Sequence, residues 1–230
     1  MPRGAWAPVS SELEHPLAIL DGRETAGGLL RVLLGPTSRF GARYFAVMVE
    51  HESFGPGSDP ALIGLHRSGP LPSYNWIEVA HTNERPALPN GDSVDLGPEG
   101  VARIFALFLS VIPPGGHLMV EYDSPQRAET ARALALGVPP IATPLGELLF
   151  RLGYAARFKD WQIAEGGSEG PRKLQAYHAP SEEQAHRWQH EARQELDVFL
   201  RSSQHGSEIV QSARRRAVGL LPLLSGEASR

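Results

Sequence analysis

The hexapeptide Gly97-Pro98-Glu99-Gly100-Val101-Ala102 has the residue types that let backbone amides meet a phosphate. Gly97 and Gly100 carry no side chain to hold a ligand off. The run that follows places Val101, Ile104, Phe105, Phe108, Leu109 and Ile112 at helical spacing. A helix starting here directs unpartnered N–H groups and the positive end of its dipole at whatever lies over the loop. Pro98 suits a first turn, where a missing N–H costs nothing, and Glu99 favours the dipole. Glu99 and Asp95 also bring negative charge to the same place, which works against an anion.

Other chemistry-bearing residues group less productively. Glu183, His186 and His190 share one helix face in a ligand-like pattern. Glu182, Arg187 and Glu191 are interleaved with them, the mark of a solvated charged face, so no metal site is expected. Glu50-His51-Glu52 alternates across a strand, which keeps His51 off the face of its neighbours and out of catalysis. The segment Gly166 to Lys173 sets glycines beside Arg172 and Lys173; it either closes over a phosphate or carboxylate or is an ordinary hairpin loop. No GxSxG elbow, Walker loop, HExxH or Rossmann fingerprint occurs.

Composition narrows the setting for this chemistry. A formal net charge of −4 leaves no basic footprint, so a nucleic-acid partner is not expected. The absence of cysteine removes thiolate nucleophiles, disulfides and cysteine-based zinc sites. No basic-then-apolar leader opens the chain, and no run reaches the roughly 18 uncharged apolar residues of a membrane span. A soluble cytoplasmic protein is the expectation.

The elements that must position these residues follow in order. A short helix is expected around Ser10 to Leu20, while Leu29 to Leu34 fits a strand or a helical turn. Arg43 to His51, Ala61 to His66 and Trp76 to His81 read as strands with turn-rich connections, hence an antiparallel meander. The helix from Gly97 stops at Pro113-Pro114-Gly115-Gly116, and His117 to Tyr122 is a strand. Gln126 to Leu136 is helical. Thr143 caps a further helix with Pro144 at its first position and Gly153 just beyond its end. Arg157 to Ile163 and Leu174 to His178 are strands around the Glu165 to Pro171 loop. After Pro180 come two helices, the first with Trp188, Ala192, Leu196 and Phe199 on one stripe.

This order resembles the GNAT acyltransferase fold, in which the helix after the meander opens on a loop that binds the pyrophosphate of acyl-coenzyme A. That family's motif is Gln or Arg, two residues, Gly, one residue, then Gly or Ala. Gly97 to Ala102 keeps the spacing, with Gly97 where Gln or Arg stands in the family. The resemblance implies cofactor contacts at Gly97, Gly100, Val101 and Ala102, and acetyl-coenzyme A or coenzyme A as cofactor. It also implies a general base on the preceding strand, where Glu78 would take a proton from an attacking amine of a small molecule or peptide. The family's tyrosine acid position holds Leu149 here.

A second resemblance is to class I S-adenosylmethionine methyltransferases, through Phe108 to Tyr122 (FLSVIPPGGHLMVEY) and the terminal hairpin. Their acidic-x-Gly-x-Gly loop is missing, and a meander does not fit their parallel first half. At finer grain, GVPPIATPLGELLFRLGY, FKDW and EGGSEGPRKLQAY resemble a small prokaryotic family, domain of unknown function 1122, over roughly Tyr44 to His178. The expected fold is α/β, a mixed and largely antiparallel GNAT-like sheet over residues 1–180, with a helical extension over 181–230. The leading function is an acyl-coenzyme A-dependent N-acyltransferase. The alternatives are a non-catalytic assembly protein, with the C-terminal helices pairing two copies as a homodimer, and a degenerate methyltransferase-like protein binding S-adenosylmethionine.

Overall fold

Alternating and β-branched segments in the first half find partners on their edges. The computed structural model describes residues 18–25, 28–36, 44–51, 61–68, 76–79, 97–122, 127–165, 168–203 and 206–225. Five strands come first: β1 (Ala18–Thr25), β2 (Gly28–Pro36), β3 (Tyr44–His51), β4 (Ala61–Ser68) and β5 (Trp76–Val79). Each pairs antiparallel with the next. The ambiguous run at Leu29 is therefore a strand, because β1 and β3 hold both of its edges. Residues 10–17 of the expected first helix, and residues 80 and 81 of the expected third strand, lie outside the described set. Ala18 to Leu20 are extended rather than helical, since their backbone groups pair with Val32 to Leu34. Among the described residues, β1 to β5 form an antiparallel meander with no parallel pair.

The chain then gives α1 (Gly97–Val111), β6 (His117–Glu121), α2 (Ala128–Ala135) and a single 3-10 turn (Pro140–Ala142). After these come α3 (Pro144–Arg151), β7 (Phe158–Glu165), β8 (Ser168–Tyr177), α4 (Glu182–Ser202) and α5 (Glu208–Leu224). The fold is thus α/β with largely antiparallel strands. Contacts group the chain into two compact units, Met1–Leu107 and Phe108–Arg230. Along α1 the residues of the expected apolar stripe are buried, save Leu109, which is half-buried.

In the second unit β8 lies between β6 and β7, antiparallel to both. Its register pairs Glu165 with Ser168, so Ser168 to Pro171 belong to the strand and only Gly166 and Gly167 separate the two. The expected loop over Glu165 to Pro171 is corrected accordingly. A Gly-Gly pair is itself a two-residue hairpin signal, and it overrides the irregular look of the residues after it.

Helix ends follow their local chemistry. Thr143 Oγ1 accepts from Gly146 N at 3.1 Å and donates to Pro140 O at 2.7 Å, tying α3 to the 3-10 turn. Gly153 takes φ +105° just after α3, the conformation that suits glycine at this place. Ser181 Oγ accepts from Gln184 N at 3.2 Å at the start of α4. The stripe Trp188, Ala192, Leu196 and Phe199 is buried. Ala192, Leu196 and Phe199 share a core with Val210, Ala213, Ala217, Leu220 and Leu224 of α5 and with Ala133, Val138, Ile141 and Ala142. Burial of each large member stabilises by about 1.5–3 kcal/mol. Arg216 of α5 donates to Ala142 O at 2.9 Å and meets Glu129 at 3.1 Å, so the tail is fastened by polar groups too.

The tightest packing lies under α3. A Cβ built on Gly146 would stand 1.9 Å from the carbonyl oxygen of Pro140, whereas one on Gly137 would meet nothing within 4 Å. Gly137 has φ +75°, so alanine there bears only backbone strain. Thermal or urea unfolding should show Gly146→Ala losing about 3 kcal/mol or more, or failing to fold, against about 1 kcal/mol for Gly137→Ala. Equal losses would contradict this packing.

Candidate functional site

The first unit contains the residues expected to bind a cofactor. Within α1, the i to i−4 pattern gives the N–H of Val101 and Ala102 the carbonyls of Gly97 and Pro98. In a helix whose first residue is Gly97 the N–H of Gly100 already closes the first turn, so the N–H groups left outside the ladder are those of Gly97 and Glu99, and Pro98 has none to offer. Val101 is buried and Ala102 half-buried, so these two hold the turn against the protein. Two free amides at the end of a fifteen-residue dipole are the part of the hexapeptide that could face an anion.

Glu78 lies on β5, where Ile77 and Val79 are buried and Trp76 and Glu78 are half-exposed on the opposite side. Its register partner on β4 is Arg67. Leu149, at the position of the family's tyrosine acid, is fully buried in α3 and carries no proton to give.

A polar constellation that sequence reading missed spans the three strands of the second unit. The Tyr122 hydroxyl donates to Asp160 Oδ1, and Arg172 donates to Asp160 Oδ2 at 2.7 Å. The Arg172 guanidinium also lies 5.4 Å from the centre of the Tyr122 ring. The hydrogen bond to Asp160 pushes Arg172 further above its ordinary range. Arg172 is therefore engaged by its own sheet. Lys173 is 3% exposed on β8, register-paired with Glu121 on β6 and Trp161 on β7. Neither residue is a loop cation waiting for a phosphate. Strand registers bring these residues together from positions far apart in sequence, so no local motif announces them.

A second cluster forms where β6, β8 and α4 meet. The rings of His117 and Tyr177 are 5.7 Å apart, those of Tyr177 and Trp188 also 5.7 Å, and Arg157 sits 5.4 Å from the Trp188 ring centre. Burial lowers the His117 pKa and raises that of Tyr177, the latter opposed by Arg157. Trp188 Nε1 is buried without a hydrogen-bond partner among the described residues. Glu183, His186 and His190 are exposed on α4, with Arg187 3.8 Å from Glu183 and Gln194 2.9 Å from His190. Among the described residues no helix is long and apolar enough to cross a membrane.

A family model described as protein of unknown function, DUF1122, matches residues 58–203. A crystal structure of a protein of unknown function from Aquifex aeolicus VF5 is 26% identical, with a TM-score of 0.57. The match covers 86% of this chain and 92% of that one. No functionally curated protein matches.

The His117 shift has a sign that unfolding experiments can read. The folded pKa lies below the unfolded value of 6.5, so the unfolded chain binds the proton more readily. Stability therefore falls as pH drops through 6.5 and stops falling once pH is below the folded pKa. His117→Phe keeps a ring beside Tyr177 and removes that component. Melting temperatures taken from about pH 7.5 to pH 5 should fall less steeply for the variant than for the native chain. Parallel profiles would contradict the burial of His117.

Proposed function

The chain belongs to the DUF1122 family of proteins of unknown function, and from that premise we propose that it binds acyl-coenzyme A in the cytoplasm and passes the acyl group to an amine. The observation that carries the reading is the first turn of α1. Gly97 and Glu99 supply amides for the pyrophosphate, and the two glycines, Gly97 and Gly100, leave the backbone bare for close approach. Val101 and Ala102 support that turn and are not donors. The order of elements adds weight: an antiparallel meander, α1, β6, two helices and the β7–β8 hairpin follow the sequence of the GNAT-like N-acyltransferase fold.

In the reaction the amine nitrogen attacks the thioester carbonyl, and Glu78 accepts the proton that nitrogen sheds. The carbon–sulfur bond then breaks, and the thiolate leaves with a proton from solvent, since Leu149 has none. S-adenosylmethionine is the weaker candidate, because β3, β4 and β5 pair antiparallel and no acidic-x-Gly-x-Gly loop occurs. Pairing of two copies through the tail would use the outer faces of α4 and α5, where Val198 and Val218 are 66% and 58% exposed.

Titration calorimetry with coenzyme A, acetyl-coenzyme A and S-adenosylmethionine tests this directly. Heat is expected from the first two and not from the third, and Gly100→Asp should abolish it by placing charge and a Cβ at the phosphate. Glu78→Gln should retain binding and slow acylation of a model amine about a hundredfold or more. Silence with both coenzyme A forms would overturn the proposal.

A further inference from the structure

A cleft of about 560 Å³ lies within the second unit, between Pro114, the end of α3, the end of β8 and the start of α4. The volume falls in the range that holds small organic ligands. Phe150, Ala156, Pro180 and Ala185 give it apolar walls.

Tyr154, His178, Ser181, Glu182 and Gln189 are its polar lining; Tyr154 is buried, and His178, Glu182 and Gln189 set the chemical preference. His178 is locked in place: its N–H donates to Gly116 O and its carbonyl accepts from Gly115 N, both at 2.9 Å. Its Nδ1 lies 2.6 Å from Ile112 O. A carbonyl only accepts, so Nδ1 carries the hydrogen, and in the tautomer this selects the ring's lone pair lies at Nε2. Glu182 is exposed in the first turn of α4, and its carboxylate only accepts. Gln189, half-buried, lines the cleft with an amide that can accept as well as donate.

Among the described residues no lysine or arginine lines the cleft. The positive end of α4 is offset by Glu182 and Glu183 in its first turn, and the Ser181 hydroxyl oxygen there already accepts from Gln184 N–H. A carboxylate and an imidazole lone pair over apolar walls complement a positively charged donor on an apolar body.

We propose that this cleft binds a small organic cation, an ammonium head on an aryl or alkyl body. The site stands independently of coenzyme A binding at α1 and is tested without that cofactor. Saturation-transfer NMR on the full chain would compare 2-phenylethylamine with 2-phenylethanol and 3-phenylpropionate, which share its body and differ in head charge. The amine should bind at least roughly tenfold more tightly than the alcohol, and the carboxylate least of all. Glu182→Gln, an exposed change that leaves the core intact, should bring the amine down towards the alcohol. Gln189→Leu should weaken the amine and leave the alcohol close to its native affinity. Equal binding of the three probes, no binding of the amine, or an amine affinity indifferent to Glu182→Gln would overturn the proposal.

Discussion

A strand buried on both faces must find backbone partners on both edges, and β8 meets that condition. Lys173, Leu174, Gln175 and Ala176 are consecutive and all buried, so solvent is closed to both sides of the strand there. Their N–H and carbonyl groups are taken by β6 on one side and β7 on the other. An unpaired backbone group at this depth would cost about as much as a lost hydrogen bond. Everything else in the second unit is arranged around satisfying that strand. The Tyr122–Asp160–Arg172 network links β8 to both of its partners, and the aromatic contact of Tyr177 with Trp188 links its end to α4.

The helices extend the same logic from hydrogen bonds to volume. Gly146 lets α3 come against the Pro140 carbonyl, and Arg216 then reaches Ala142 O from α5. The apolar stripes of α4 and α5 fill the remaining space with α2 and the 3-10 turn. A tail that reads as an appendage in composition is packed against the chain's own core. Its charged outer face, including His186 and His190, remains in solvent.

Local chemistry was legible where a single residue type decides the outcome. Thr143 at a cap, Pro144 at the first helical position, Gly153 after the last, and the period of Trp188 to Phe199 all gave elements with nearly correct bounds. Legibility failed where pairing decides. Ala18 to Leu20 look helical alone and are extended because β2 holds them. Ser168 to Pro171 look like loop and are strand, with β7 pairing Glu165 to Ser168 and Ala164 to Glu169. The Tyr122, Asp160 and Arg172 constellation depends on three-strand register, which no short motif encodes. At α1 the spacing was readable, yet which amides remain outside the helical ladder depends on the residue at which the helix begins.

That starting point also ties fold to function. Beginning at Gly97 leaves two free amides and two bare glycines at the positive end of α1, with Val101 buried to hold them steady. An amide-resolved NMR titration with coenzyme A tests the claim most directly. The account predicts that the N–H resonances of Gly97 and Glu99 move furthest downfield, and that those of Gly100, Val101 and Ala102 follow weakly because their hydrogen bonds are already made. Saturating coenzyme A that leaves these two resonances in place, or moves a different set, would contradict it.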